Sequence, residues 1–340
     1  MHDTPLLSWL IVFVLAGTTY AANPQYTVTD LGGPLVFVEA IDPQGNAVGS
    51  KEGQAALFTP QGTPIFLGFL PHGDTSLATN RDGLHGIVGS SSREPGQGGT
   101  HAFHRFNGVM RDLGTFGAGG TFSWANAMNG TVIVGQGDAA GVEGLIPLAW
   151  GIHGGPAVRL ATLGGPTGSV QALRPSGVAV GASDTKQGEM HATLWIMGAP
   201  TDLTPGTGIV SDAYAVNMFL MIVGYIRQDG KDQGLRWTPQ RGVEKIGTLP
   251  GHIISTLKGV NVAGVAVGQS IGPDDFRAVR VIGAHVVDLN TLLSAADAAK
   301  WKLEDAVCMN DQGVIGGQGR LNGKLRAFLL RPIPLTVAHQ

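Results

Sequence analysis

The spacing Gly268-Gln269-Ser270-Ile271-Gly272 is that of a nucleophile elbow, in which a strand-to-helix turn lifts a serine hydroxyl toward a histidine base. Its surroundings do not supply that turn. Pro273-Asp274-Asp275 stands where the helix should begin, and Gly268 belongs to a Val-Gly element found elsewhere in the chain. His101 and His104 are near enough in sequence to suggest a metal, but the stretch reads as a strand, where residues three apart face opposite sides. Cys308 is the single cysteine, which forbids an internal disulfide, and Ala306-Val307-Cys308-Met309 reads as an apolar strand with a buried thiol. The glycine clusters Gly96-Gln97-Gly98-Gly99 and Gly117-Ala118-Gly119-Gly120 lack the helix and the Lys-Ser/Thr of a phosphate loop. The expectation is a chain with no catalytic residue, no metal and no cofactor.

Whatever the chain does must therefore be done by a surface held on a scaffold. Of 340 residues, 53 are Gly and 19 are Pro; 43% are apolar, 14% are charged, and the formal charge is −3. There is material for a core and no basic excess to hold nucleic acid. Leu6 to Gly17 is an apolar run too short to cross a bilayer, followed by Thr19-Tyr20-Ala21, so residues 1–21 are expected to be a signal peptide, although His2 and Asp3 stand where Lys or Arg is usual. Residues 22–340 are then expected to be one secreted domain, periplasmic or extracellular, monomeric and with no membrane span in the mature chain.

The scaffold is legible as a repeat. A Val-Gly-like element closes at Gly49, Gly89, Gly135, Gly181, Gly224, Gly268 and Gly317. About seven residues earlier stands a turn former: Asp42, Asn129, Asn217, Asn261 and Asn310, with Arg174 in one copy and Asn80 at a longer spacing in another. A small/bulky pair follows each glycine, among them Pro147/Trp150, Ala192/Trp195 and Gly234/Trp237, whose tryptophans are expected to pack between units. An Asp-Leu-Gly-like element then closes each unit, as at Asp30-Leu31-Gly32, Asp112-Leu113-Gly114 and Asp288-Leu289. Four short strands per unit and seven units predict an all-β, seven-bladed β-propeller. The chain starts with a lone fourth strand, Tyr26 to Leu31, and ends with a third strand, Ala327 to Leu330, so pairing the two would close the ring. A β-solenoid is the alternative. Residues 290–300 predict a short helix starting near Asn290 and capping one end of the ring.

His101-Ala102-Phe103 with Gly108-Val109-Met110-Arg111-Asp112-Leu113-Gly114 after it resembles the HAF repeat family of probable extracellular repeat proteins. His191-Ala192 with Trp195, and Arg326-Ala327-Phe328-Leu329-Leu330, are similar to it as well. The resemblance implies an exported repeat protein and carries no catalytic residues. The histidine slot holds Gln54, Ile146, Gln233, Arg277 and Arg326 in the other copies, which departs from the family pattern.

In such a ring the second-to-third and fourth-to-first connections share one face, and they read as the longer ones: 90–100, 136–145, 182–190 and 225–233. The expected binding residues are the charges on that rim, His72, Asp74, Arg93, Glu94, Asp138, Asp184, Lys186, Arg227, Asp274 and Asp275, with the channel mouth at their centre. The first functional expectation is a non-enzymatic binding or scaffold module for a protein, glycan or surface polymer. A propeller enzyme acting on polysaccharide, a glycoside hydrolase or lyase, is the second, and would need two carboxylates at the channel mouth, with Asp74, Asp138, Asp184 and Asp274 as candidates. A self-assembling surface protein is the third.

Overall fold

The computed structural model describes residues 26–93 and 99–334, so the expected signal peptide and Glu94 lie outside the described residues. Seven four-stranded antiparallel sheets form the ring of a seven-bladed β-propeller. The first strands are Val36–Ile41, Ser76–Arg81, Ser123–Met128, Gly164–Leu173, Ile209–Val216, Ile254–Val260 and Trp301–Met309, which number the blades one to seven. First strands of successive blades approach one another all the way round, blade seven meeting blade one, so they form the inner wall. The strand Tyr26–Gly32 pairs antiparallel with Lys324–Pro332, and the seventh sheet is completed from both ends of the chain.

The buried apolar side chains fall into seven clusters, one at each junction between blades. Trp195 of blade four packs with Val134 of blade three, Leu257 of blade six with Val223 of blade five, and Phe58 of blade one with Leu329 of blade seven. Trp150 and Trp195 are both nearly inaccessible and sit at such junctions, as their repeat position predicts. A blade is thus two apolar faces back to back, each covered by a neighbour; the ring leaves no face open.

The repeated glycine has a specific cause. In every blade the first strand carries a β-bulge against the second, at Glu39, Thr79, Asn126, Gln171, Tyr214, Lys258 and Val307. The residue before each bulge pairs with the repeat glycine, and a Cβ on any of the seven glycines would lie 1.9–2.1 Å from a first-strand carbonyl oxygen, for example Trp124 O at Gly135. No side chain fits there, so the bulge and the glycine are one device.

The turn residue closes the hairpin and ties the blades. Asn217 Oδ1 accepts from the Phe219 and Met221 amides at 2.9 and 3.0 Å, while its Nδ2 donates to Asn261 O of the next blade at 2.9 Å. Asn129 reaches Arg174 O and Asn310 reaches Asp42 O in the same way, at 3.1 and 2.9 Å. Asp42 has no donor, and there Arg81 of blade two supplies the cation at 3.0 Å. In blade two the turn residue is Asp82, whose Oδ1 accepts from Leu84 and His85; the expected Asn80 lies within the strand, opposite Val88. Local Asx geometry decides this, three residues beyond the bulge.

Between blades six and seven the expected single helix is instead a 3-10 turn, Leu289–Leu292, and a short α-helix, Ala295–Ala298, capped by Ser294. Asn290 is drawn away from a capping role because its side chain bonds both the Leu303 N–H (2.7 Å) and C=O (2.9 Å). Leu289, Leu292 and Leu293 are buried with Trp301 and Tyr26, so this segment fills a wedge and does not cap the ring.

Candidate functional site: the axial ring

An extra residue in a strand must point away from the ladder, and here the only free direction is the axis. The seven bulge residues Glu39, Thr79, Asn126, Gln171, Tyr214, Lys258 and Val307 together line a cavity of about 380 Å³, one from each blade. Each stands three residues before its turn residue, so the ring lies toward the face of the first-to-second turns. Six of the seven are polar, and no residue type occurs twice.

Two sectors can be distinguished by their charge. On one side Lys258 Nζ bonds Asp305 Oδ2 at 2.5 Å, and Glu39 stands beside the pair. Burial pushes the Glu39 carboxyl up to about 7; the Lys258 charge opposes this and Asp305 reinforces it. On the other side Asp212 is buried, and its carboxyl is also pushed up to about 7 by burial, against hydrogen bonds from the Ala213 amide and the Gln171 side chain. Asp212 Oδ1 has no hydrogen-bond partner. Tyr214 stacks with Tyr225, centroids 5.9 Å apart, and burial raises both phenols. Between these sectors Thr79 Oγ1 donates to Ala125 O at 2.6 Å and Asn126 Nδ2 to Val170 O at 2.8 Å, each spanning to the next blade and fixing the direction of its side chain. The cavity is therefore lined by oriented polar side chains, with Tyr214 held by its stack on Tyr225 and Lys258 by its bond to Asp305. Among the described residues, no group of three or more His, Cys, Asp or Glu could hold a metal.

Those of the expected rim residues that are described lie on the opposite face, spread over the blades before the seventh, and the structure does not gather them into one cluster. His72 and Lys186 are exposed. Asp74 accepts from Ser92 Oγ at 2.9 Å, and Arg93 pairs with Asp112 at 3.0 Å. Asp138 is an internal brace, accepting from Thr121 N, Thr121 Oγ1 and Phe122 N at 2.6–2.8 Å; those bonds overcome burial and hold its carboxyl below the usual range. Asp184 bonds Thr167 Oγ1 and lies in the strand Val178–Thr185. Arg227, in Ile222–Gln228, makes a two-point pair with Asp232 at 2.5 and 2.7 Å. Asp274 is exposed, while Asp275 pairs with Arg277 and Lys302 at 2.7 and 2.8 Å. Two expected loops are thus mostly strand: the blade-five connection is the two-residue turn Asp229-Gly230, both with positive φ, as type I′ geometry requires.

Ser270 is fully buried in the strand Ala266–Ile271, and its Oγ accepts from Leu249 N at 3.1 Å. Ser91 and Ser183 accept from Leu70 N and Leu163 N in the same manner, so Ser270 is a bracing serine. The varying histidine slot also finds its reason. His101, His191, Arg277 and Arg326 face Asp112, Asp202, Asp288 and Asp30 respectively, at 3.0, 2.8, 3.5 and 3.9 Å. A histidine or arginine fills the slot where the fourth strand offers an Asp, whereas Gln54 and Ile146 stand in blades whose fourth strands, Pro64–Gly68 and Val158–Arg159, contain no carboxylate.

No protein-family model matches the chain, and no curated protein does. Among solved structures, oligogalacturonate lyase in complex with manganese superposes with a TM-score of 0.57 at 10% identity, over 92% of this chain and 94% of that one. Puromycin hydrolase superposes with a TM-score of 0.53 at 15% identity, over 87% of this chain and 52% of that one; a mutant of it complexed with PGG gives 0.54 at 16%, over 78% and 47%. The chain spans about half the length of the puromycin hydrolases. At these identities the shared property is the propeller fold.

Proposed function

We propose that the protein is an exported, non-enzymatic binding propeller that takes a polyhydroxylated ligand, a glycan or the end of a surface polymer, in its axial cavity. The observation that carries this reading is the ring itself: seven copies of one scaffold deliver side chains of seven different types, six of them polar, to one cavity. A cavity of about 380 Å³ lies in the range of small-ligand sites, and hydroxyl-rich ligands are bound by convergent amide, carboxyl and phenol groups beside an aromatic face. The likeness of the His-Ala-Phe segments to an extracellular repeat family supports export. Among the described residues no helix is long and apolar enough to cross a membrane.

The test is a glycan array followed by titration calorimetry with Asn126→Ala and Gln171→Ala variants. Binding that falls at least ~10-fold in folded variants supports the reading; an empty array, or affinity that ignores both variants, overturns it. An enzyme acting on polysaccharide has one specific observation in its favour, the Glu39 carboxyl held near neutrality beside Lys258 and Asp305. Turnover of a polysaccharide panel that disappears in Glu39→Gln while binding persists would select it.

A further inference from the structure

A second cavity, of about 290 Å³, opens away from the axis between blades two and three, on the face of the first-to-second turns. Its wall is apolar: Phe106 and Val109, which flank the Asn107-Gly108 turn, and Ile152 of blade three. Phe106 and Val109 are 47% and 68% exposed, so the chain holds apolar surface in water at the mouth of a cleft.

One cation faces this apolar wall. Arg111 lines the cavity, and its Nη2 donates to Ile152 O at 2.6 Å, which fixes the guanidinium while leaving most of its donors uncommitted. Arg93, Arg236 and Arg277 each have a carboxylate partner; among the described residues Arg111 has none. His153 of blade three also lines the cleft and is exposed, and the other polar side chains there are engaged. His85 is engaged by Asp82, and its ring lies where a Cβ on Gly130 would be 2.9 Å away, so glycine is what lets blade three close over it. His104 Nε2 donates to His85 O at 2.6 Å, and its ring stacks on Phe106 with centroids 6.2 Å apart. Burial and the nearby Arg111 charge both hold the His104 imidazole below its ordinary pKa, so it adds no second cation at neutral pH.

A fixed guanidinium at the base of an apolar cleft is complementary to a single anionic head on an apolar body. We propose that this cleft binds a small free carboxylate carrying an aromatic ring or a short hydrocarbon chain, with the carboxylate on Arg111 and the body between Phe106, Val109 and Ile152. The site is distinct from the axial cavity and shares no lining residue with it.

Phenylacetate and its neutral analogue phenylacetamide are the probes, titrated against the full chain by calorimetry. Phenylacetate is expected to bind with Kd below about 1 mM and the amide at least ~10-fold more weakly. Arg111→Met is expected to lose phenylacetate at least ~10-fold with its melting curve retained. Should that variant fail to fold, Val109→Asp, at an exposed position, places a like charge at the wall and must produce the same loss in a folded protein. Asn126→Ala, in the axial ring, must leave phenylacetate affinity unchanged, which separates this site from the axial one. Equal affinity for acid and amide, no binding of the acid up to about 10 mM, or full binding by a folded Arg111→Met or Val109→Asp protein would overturn the proposal.

Discussion

Two sets of positions recur seven times, and the sequence treats them oppositely. At the repeat glycine every blade carries the same residue, because the first-strand carbonyl oxygen occupies the space a Cβ would need. Ten residues earlier, or nine in blade three, stands the bulge residue, and there no two blades agree. The same bulge produces both behaviours. It forces one backbone against the glycine and turns one side chain toward the axis, where no packing partner dictates its type. Uniformity in this chain marks scaffold, and divergence at a fixed register marks the surface free to specialise.

The largest test of that contrast uses one blade. Gly135→Ala places a methyl 1.9 Å from Trp124 O, and we expect a loss of more than ~4 kcal/mol in urea unfolding. Asn126→Ala, at the bulge of the same blade, removes one interblade hydrogen bond to Val170 O and should cost about 1 kcal/mol. Similar losses in the two variants would erase the distinction between scaffold and ring.

The same contrast explains what the sequence disclosed. Blade number and closure were legible because Gly49 through Gly317 keep one residue type at one spacing, and because the strands at the two ends are complementary. The axial ring is hidden from the repeat pattern because its seven positions share a register and no residue type. Its register was nonetheless written in the chain: Glu39 precedes Asp42, Tyr214 precedes Asn217 and Lys258 precedes Asn261 by the same three residues. The rim connections of blades four and five are shorter than their sequence suggests for another reason. Asp184 and Arg227 stand in strands that run on past the repeat glycine, and each satisfies its charge or hydrogen bonds with a neighbour: Thr167 and Asp232. The pairing of His101 with Asp112 spans a hairpin, and such pairs show only once the register of the two strands is known.

Carboxylates sharpen the comparison further, since the axis and the rim push them in opposite directions. At Asp275 burial works against ionisation, but bonds to Lys302 and Arg277 outweigh it and hold the carboxyl below its usual range. At Asp212 burial wins, and the carboxyl sits at about 7. Between the unfolded value and about 7 the folded chain binds the extra proton, so Asp212 contributes a stability that falls as pH rises through that window and stays low above it. Asp212→Asn mimics the protonated group. We expect it to raise stability at pH 8 by ~2–4 kcal/mol, with the gain vanishing near pH 4. Asp275→Asn should do the reverse in sign, destabilising at pH 8 and becoming neutral at low pH. Chemical denaturation across pH measures both, and a gain at Asp212 that does not depend on pH would deny that its carboxyl is held protonated.

The smallest effect concerns the turn asparagine, which is uniform in some blades and replaced in others. Asn217 uses its oxygen within its own hairpin and its amide across the junction to Asn261 O. Asp retains the first function and loses the second, leaving a carboxylate facing a carbonyl, so Asn217→Asp should cost about 1–3 kcal/mol. Blade one shows how the chain itself solves this, with Arg81 of the next blade neutralising Asp42. The position matching Arg81 in blade six is Val260, two residues past the bulge residue Lys258 and opposite Ala266 as Arg81 is opposite Ile87. Asn217→Asp combined with Val260→Arg should therefore recover at least half of the loss, whereas Val260→Arg alone should not stabilise. A double-mutant cycle in urea measures the coupling. A coupling energy of zero would mean that the strap between blades is set by local geometry at each junction and is not a module that can be moved around the ring.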